Sequence, residues 1–348
     1  RRGNVRKLGR KDLTGDCSLK CIIMKKTLFF LLFIGIISCD NGKQQAYVPD
    51  SSGNLNNITV VMPKSFWEGS LGKTVRNEIA TLYEGLPIDE PRFTLRYLEP
   101  KAFTGFGRHG RNVIWFRKDS LNSFQLAQNQ FARPQILAQV RGEDQEIMGE
   151  YIKENAALLI GTFQENERVE KIRRIAKSRS KDQDFQTKFG VSLTYPTAYS
   201  TVKDTTNFLW LEKPVRKGTL NIIAYALPIE QLEEFELKTL TSIRDSIGAL
   251  HVPGRLPNTH MITEKAYRPY FYSTTLAGQK AYLTKGMWEV KKDFMAGPFV
   301  NYILKDTLNK RAFVIEGFTF APSVAKRDYM FELNSIISTM KIERAEKN

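Results

Sequence analysis

Cysteine and histidine are both scarce in this chain. Its 348 residues contain three of each, namely Cys17, Cys21, Cys39, His109, His251 and His260. No cysteine follows Cys39, so residues 40–348 can form no disulfide and no cysteine metal site. The three histidines fall on separate predicted loops, whereas a catalytic zinc takes three protein ligands. We therefore expect no metal and no cofactor, and a fold that is stabilised by a buried core.

A long apolar run is also missing, because the longest stretch covers only residues 27–37. A membrane-spanning helix needs about 20 apolar residues, so this stretch is too short to cross a bilayer. Lys25 and Lys26 precede it and Ser38 and Cys39 follow it, an arrangement typical of a bacterial lipoprotein signal. The pattern predicts a signal peptide at 24–38 and acyl chains, such as palmitate, on Cys39. An ordinary signal peptide with a chance cysteine is the alternative.

The predicted signal fixes an expected location. We expect a lipid-anchored protein of the cell envelope, held in the outer membrane, although Asp40 after the cysteine leaves the inner membrane open. Residues 1–23 lie upstream of Met24 and are predicted to be a non-native extension. A long, unusual export signal is the alternative for this segment.

The net charge narrows the class of partner. The formal charge is +15, but residues 1–38 hold nine Lys or Arg and two Asp or Glu, which leaves about +8 for residues 39–348. A modest positive excess favours anionic partners such as phospholipid headgroups or polyanionic glycans. The expected envelope location argues against nucleic acid.

Residues 39–57 are rich in Asn, Gln, Ser and Gly and predict a flexible tether. A first α/β domain is predicted at 58–182. Apolar spacing places Leu71, Val75, Ile79 and Leu82 on one helix face. Residues 121–141 and 144–179 are predicted to be mainly helical, with interruptions at Pro134 and Gly161 and with Val169, Ile172 and Ile175 inward.

Residues 183–348 are predicted to form a second, strand-rich α+β sandwich domain. Alternating apolar residues predict strands, including one near 267–272, and a closing helix carries Leu333, Ile336 and Ile337 inward. The expected fold class is α+β with two domains, each a mostly antiparallel sheet with helices packed on one face.

Several short stretches together resemble a domain-of-unknown-function family of Bacteroidetes lipoproteins. They are Gly-Leu-Pro at 85–87, Phe-Leu-Trp at 208–210, Val-Pro-Gly at 252–254, the block at 286–299 and residues 321–327. The resemblance implies an envelope location and this architecture, but no activity. Residues 189–196 and the closing helix of the second domain are similar to the ends of the PsbP/Mog1 sandwich group. That likeness implies a binding or assembly module.

The segment 105–110, Gly-Phe-Gly-Arg-His-Gly, has the glycine spacing of a dinucleotide-binding loop. Such a loop works when a strand precedes it and a helix follows it. Here a predicted strand follows, so we do not expect nucleotide binding. Arg108, His109 and Arg111 instead make a candidate anion-binding loop.

The block at 286–299 offers two interpretations. Trp288, Phe294, Met295 and Phe299 suit a core. The functional alternative is an aromatic-lined binding groove made by Trp288, Lys291, Lys292, Asp293, Phe294, Gly297 and Pro298. Acidic residues such as Glu289 lie close by, but acid–base catalysis needs distances that a sequence does not give.

The sequence therefore predicts a binding or assembly module at the membrane rather than an enzyme, with no catalytic residue assigned. Its expected partner is an envelope protein or a glycan. Two alternatives stay open. One is an envelope hydrolase acting on glycan or lipid through carboxylates near Glu289 and Asp293 or through His109. The other is a transport accessory that binds a small apolar ligand between the domains.

Overall fold

A computed structural model of the chain describes residues 47–231 and 235–343. The segments 1–23 and 24–38, Cys39 and the first part of the predicted tether lie outside these residues. The rest of the predicted tether contacts the fold, because the Ser51 and Ser52 N–H groups donate to the carbonyls of Arg133 and His109 at 2.9 and 2.8 Å. Residues from Val48 onward pack as one compact unit.

Five strands form the sheet of the first domain, in the order β2-β1-β3-β5-β4. They are β1 Asn57–Val61, β2 Thr94–Leu98, β3 Asn112–Lys118, β4 Ser123–Gln128 and β5 Ile136–Gly142. The mixed α+β class is confirmed, but the strand direction differs from the prediction, because β2, β1, β3 and β5 are parallel and only β4 is antiparallel. Parallel neighbours need a crossover. Helices α1 (Lys64–Glu68) and α2 (Ser70–Ile79) supply it between β1 and β2.

The prediction of helix at 121–141 is wrong, because β4 and β5 occupy this stretch. Ile136, Ala138 and Val140 join the core under the helices, while Leu137 joins the core on the opposite face. The sequence of a strand that is buried on both faces is a continuous apolar run. Its periodicity does not distinguish it from the sequence of a buried helix.

Helix α3 spans Gln145–Ala176 without interruption at Gly161. The side chain of Asp144 begins it by accepting hydrogen bonds from the N–H groups of Glu146 and Ile147, both at 2.9 Å. The predicted inward face is only partly correct, because Ile175 is buried but Val169 is 47% exposed. Glu167 and Glu170 are buried in its place.

The two faces of the first sheet are covered differently. Helices α2 and α3 pack on one face, as predicted. The other face is covered by the loop at 99–111. Phe103 from this loop packs on Val61, Val113 and Leu137.

The second domain holds an antiparallel sheet in the order β10-β12-β13-β14-β9-β8-β7, with β11 paired to β12. The strands are β7 Ser200–Thr205, β8 Phe208–Val215, β9 Gly218–Pro228, β10 Met261–Thr263, β11 Tyr270–Leu276, β12 Gln279–Val290, β13 Met295–Asp306 and β14 Arg311–Phe320. The antiparallel prediction is confirmed here. A two-stranded pair, β6 (Val191–Ser192) and β15 (Lys341–Ile342), joins the two ends of the domain.

Helices cover both faces of this second sheet, whereas one covered face was predicted. Helices α4 (Asp184–Phe189) and α6 (Arg327–Ile337) pack on one core, and α5 (Leu237–His251) packs on the other. The central strands β13 and β14 are buried at nearly every position. They therefore present apolar side chains to both faces, and each face needs its own cover.

Polar contacts join the two domains. The Glu90 carboxylate accepts the N–H groups of Lys326 and Arg327 at 2.7 and 3.0 Å, which caps the start of α6. Lys285 of β12 pairs with Glu84 of the first domain at 2.9 Å. No helix among the described residues has the length and apolar character needed to cross a bilayer.

Candidate functional site

The structure divides the predicted aromatic groove into two separate parts. Trp288 is 2% exposed and packs on Phe318 and Phe320 in the core. Gly297 lies opposite Trp288 on β13, and a Cβ added at Gly297 would fall 2.0 Å from the Thr319 carbonyl oxygen. Pro298 is buried beside it. These three residues are therefore core packing.

The other predicted groove residues lie on the turn between β12 and β13. Lys291 and Lys292 are exposed there, and the Phe294 side chain is fully exposed. Asp293 accepts a hydrogen bond from Arg255 Nη2 at 2.6 Å, and this bond lowers the pKa of the Asp293 carboxyl. An ionised carboxylate paired with a guanidinium is a poor general acid.

Glu289 lies near that turn but is paired with another acid. Burial, with the charge of Glu264 and its hydrogen bond, raises the pKa of the Glu289 carboxyl. The other carboxylate of the hydrolase alternative, Asp293, is already held by Arg255.

The three residues of the candidate anion loop, Arg108, His109 and Arg111, do not form one site. Arg111 is buried and pairs with Glu167 at 2.8 Å, so its charge is neutralised inside the first domain. Arg108 is half-buried; its Nε donates to the Phe103 carbonyl at 2.9 Å, and its guanidinium lies 4.8 Å from the Phe131 ring centre. The His109 ring lies 5.1 Å from the ring of Phe106. Glu167 is 56 residues from Arg111, and no local pattern indicates the pair.

A cavity of about 290 Å³ lies where the two domains meet, and we call it the junction groove. The first domain contributes residues from the segment before β2 and from α3, and the second contributes residues from β12 and α6. The lining residues are Tyr83, Glu84, Arg92, Gly161, Gln164, Glu165, Arg168, Lys285, Phe331, Asn334 and Ser335. Gly161 faces open space, which is consistent with its position on the groove wall.

Each carboxylate in the junction groove is paired with a cation. Glu84 accepts from Lys285 at 2.9 Å, and Glu165 accepts from Arg168 Nε at 2.7 Å. Burial tends to raise the pKa of Glu84, but its hydrogen bonds from Lys285 and Tyr272 outweigh burial and lower it. Gly85 takes a φ of +83°, and a Cβ there would fall 3.0 Å from Lys285 Cβ, so a glycine lets the loop approach β12 closely.

Arg92 lines the groove with its guanidinium. Its Nη1 donates to Gln164 at 3.2 Å, while its buried Nε has no hydrogen-bond partner among the described residues. A buried donor without a partner is costly, and an ordered water is the usual partner of such a group.

Two tyrosines of β11 lie beside Lys285 of the junction groove. Tyr270 and Tyr272 lie two residues apart on one strand face, and their rings are nearly parallel with centres 6.4 Å apart. They are 41% and 38% exposed, and Lys285 Nζ lies 5.7 Å from the Tyr272 ring centre. The site therefore combines aromatic surface, hydrogen-bond donors and paired charges. The predicted strand at 267–272 is the one sequence signal that points to these tyrosines.

Comparison with known proteins finds two families of domains of unknown function. The Domain of unknown function (DUF8532) matches residues 51–176, and the Domain of unknown function (DUF4837) matches residues 178–339. This confirms the predicted resemblance to a domain of unknown function, while the lipoprotein character and the Bacteroidetes origin stay predictions. The two matched segments meet near residue 177. The predicted domain boundary between 182 and 183 stays a prediction. No curated protein sequence matches the chain significantly.

Several solved structures are distantly similar. The Ran-binding protein Mog1p of Saccharomyces cerevisiae is 8% identical, with a TM-score of 0.31 over 44% of this chain and 90% of that chain. LpqN, involved in cell envelope biogenesis of Mycobacterium tuberculosis, is 11% identical, with a TM-score of 0.28 over 44% and 83%. The human StarD13 lipid transfer and protein localization domain is 10% identical, with a TM-score of 0.21 over 40% and 88%. Likenesses of this size carry no argument about function.

Proposed function

We propose that this chain is a lipid-anchored protein of the cell envelope that binds a hydroxyl-rich glycan in the junction groove, without catalysing a reaction on it. The observation that carries the proposal is the contact of Glu84, Lys285 and Tyr272, which brings both domains to one polar and aromatic cavity. Ligand sites are frequent at domain interfaces.

The lining of the groove favours a glycan over an apolar ligand. Sugar hydroxyls both donate and accept hydrogen bonds, and the groove presents donors on Arg92 and Lys285 and acceptors on Glu84 and Asn334. Tyrosine rings combine an apolar surface with a polar hydroxyl. The apolar face of a sugar ring can therefore lie on Tyr270 or Tyr272 while its hydroxyls bond to the groove.

The same lining argues against catalysis. Acid–base chemistry needs a carboxyl whose pKa lies near neutral pH. The pKa of Glu84 is lowered, and Glu165 is held by Arg168. The Ser335 hydroxyl donates to the Phe331 carbonyl of its own helix at 2.6 Å, so it is not activated by a base.

The anchor is tested by the intact mass of protein isolated from native membranes. A first residue at Cys39 that carries acyl chains supports lipid attachment. A retained segment 24–38, or an unmodified sulfur, contradicts it.

Glycan binding is tested with an array of neutral and acidic oligosaccharides, probed with residues 40–348, which contain the compact unit. Any oligosaccharide retained is then titrated calorimetrically against Tyr272→Ala and Arg92→Gln. Each variant should bind roughly tenfold more weakly or worse, because each loses a ring contact or a charged hydrogen bond.

Matched controls come from exposed residues elsewhere on the described surface. Tyr47→Ala and Arg117→Gln should bind like the unmodified protein, since both residues lie outside the groove. Retention of no oligosaccharide would contradict the proposal, as would equal affinity in all four variants. Cleavage of a retained oligosaccharide during the titration would favour the hydrolase alternative.

A further inference from the structure

The chain joins the folded unit at one end of the first sheet. Ser51 and Ser52 bond to the Arg133 and His109 carbonyls, and the Arg133 N–H donates back to Pro49 at 2.8 Å. Eight residues, 40–47, lie between Cys39 and Val48, where the compact unit begins, and a fully extended segment of that length spans at most about 30 Å. A lipid on Cys39 would therefore hold this end of the molecule close to the bilayer.

A large aromatic side chain is exposed at this end. Phe106 is 87% exposed. Phe106 lies on the 3-10 turn Gly105–His109 with the His109 ring behind it. The turn is tight, since a Cβ at Gly107 would fall 2.3 Å from the Ala102 carbonyl oxygen. A rigid turn thus holds an apolar ring in solvent, which costs free energy unless another surface covers it.

Cations lie near this ring. Arg96 and Phe106 line the same cavity of about 300 Å³, and Arg96 and Arg133 are exposed with no ion pair among the described residues. Arg108 adds a third positive charge beside Phe131. Asp50, which lies next to Arg133, offsets part of this charge. The net charge of the patch stays positive.

We propose that the amino-terminal surface, defined as Arg96, Phe106, Arg108 and Arg133, docks on a bilayer that contains anionic phospholipid. Aromatic side chains favour the depth of the headgroups, and each arginine near an anionic leaflet contributes attraction. The inference rests on the anchor in the proposed function, because the anchor selects which end of the molecule meets the membrane. None of these residues lines the junction groove.

The test uses residues 40–348 with an amino-terminal hexahistidine tag, held on vesicles by a nickel-chelating lipid. The vesicles contain either phosphatidylcholine or an equimolar mixture of phosphatidylcholine and phosphatidylglycerol. Because residues 40–348 have no cysteine, Thr104→Cys gives a single attachment point for an environment-sensitive fluorophore beside Phe106. Phe294→Cys, at an equally exposed position on the β12–β13 turn of the second domain, gives the matched control.

In the mixed vesicles, the label at 104 should shift its emission to shorter wavelength and be quenched by a lipid-borne quencher, while the label at 294 should not respond. Adding Phe106→Ala should lower the ratio of inserted to free label by roughly tenfold. Arg96→Gln and Arg133→Gln should each lower it by about fivefold.

Three results would overturn the inference: no response at 104, an equal response at 104 and 294, or the same response in pure phosphatidylcholine. If the fluorophore at residue 104 did not respond, a protein partner rather than the bilayer would be the expected occupant of this surface. The hexahistidine tag replaces the lipid, so the result of this test does not depend on whether Cys39 is acylated. Absence of acylation would be detected separately, by the mass of the native protein. The substituted side chains are all exposed, so circular dichroism should show an unchanged fold.

Discussion

Lys171 of α3 donates a hydrogen bond to Glu332 of α6 at 2.5 Å, which joins the first domain to the second. Lys213 of β8 also donates to this carboxylate. The Glu332 side chain is only 10% exposed, so one carboxylate holds two ammonium groups from different domains in a nearly buried site. The junction groove lies against the same two helices, α3 and α6.

Glu332→Gln should therefore destabilise the protein. Removing one partner of a buried pair leaves the other charges without compensation, and we expect a loss of about 2–3 kcal/mol in the free energy of unfolding. Urea denaturation followed by circular dichroism measures it. The control is Glu68→Gln in the exposed Lys64–Glu68 pair, which should cost less than about 0.5 kcal/mol. Equal costs for the two variants would disprove a stabilising role for Glu332.

The same carboxylate predicts a dependence of stability on pH. Burial tends to raise the pKa of Glu332, but Lys171 and Lys213 outweigh burial and lower it below the ordinary value of 4.5. A carboxyl whose pKa is lower in the folded state stabilises the fold above the unfolded pKa, and this contribution is lost as the pH falls through the folded pKa. The urea midpoint should thus fall as the pH drops below about 4.5. The fall should be smaller in Glu332→Gln; an identical profile in both proteins would count against this explanation.

Glu90 makes a second contact between the domains. It accepts two backbone N–H groups at the start of α6, as a helix cap does. Losing a cap costs about 1 kcal/mol, so Glu90→Ala should lower the free energy of unfolding by about 1–2 kcal/mol. Asp144→Ala, which removes the cap of α3 within the first domain, is the matched comparison. A Glu90→Ala variant as stable as the unmodified protein would show that this cap contributes nothing.

Arg111 was a candidate anion-binding residue, but its pairing with Glu167 indicates a structural role, which substitutions can test. Arg111→Leu leaves the Glu167 carboxylate buried without its guanidinium, and we expect a loss of about 3–5 kcal/mol. Arg111→Leu combined with Glu167→Leu should be more stable than the single variant, because no uncompensated charge remains. Chemical denaturation of both variants measures the difference. A double variant less stable than the single one would mean that the pair stabilises the fold by more than mutual neutralisation.

The sequence predicts helices and strands well where the apolar residues are regularly spaced and one face of the element is exposed to solvent. Helix α3 and the antiparallel second sheet belong to this class. It fails at β5, because Ile136 and Leu137 are buried on opposite faces and the alternation disappears. The helix α3 itself is predicted, but its inward face is not. Glu167 is buried there because Arg111, distant in the sequence, neutralises its charge.

The candidate site is harder to predict than the fold. The junction groove is assembled from four segments that are far apart in the chain, so no local motif marks it. Tyr270 and Tyr272 show the alternation of a strand, but the same pattern also fits an ordinary exposed edge. Only the pairing of Lys285 with Glu84, residues 201 positions apart, reveals that this strand borders a cavity.

Hydrogen exchange of the protein, with and without an oligosaccharide retained on the array, tests the central claim most directly. Binding in the junction groove should slow amide exchange in residues 82–92, in the middle of α3 and in β11 and β12, because a ligand that binds the folded state opposes local opening. Exchange at the amino-terminal loop 105–111 should not change. Slowed exchange confined to that loop or to the β12–β13 turn, with the groove segments unaffected, would contradict the proposed site.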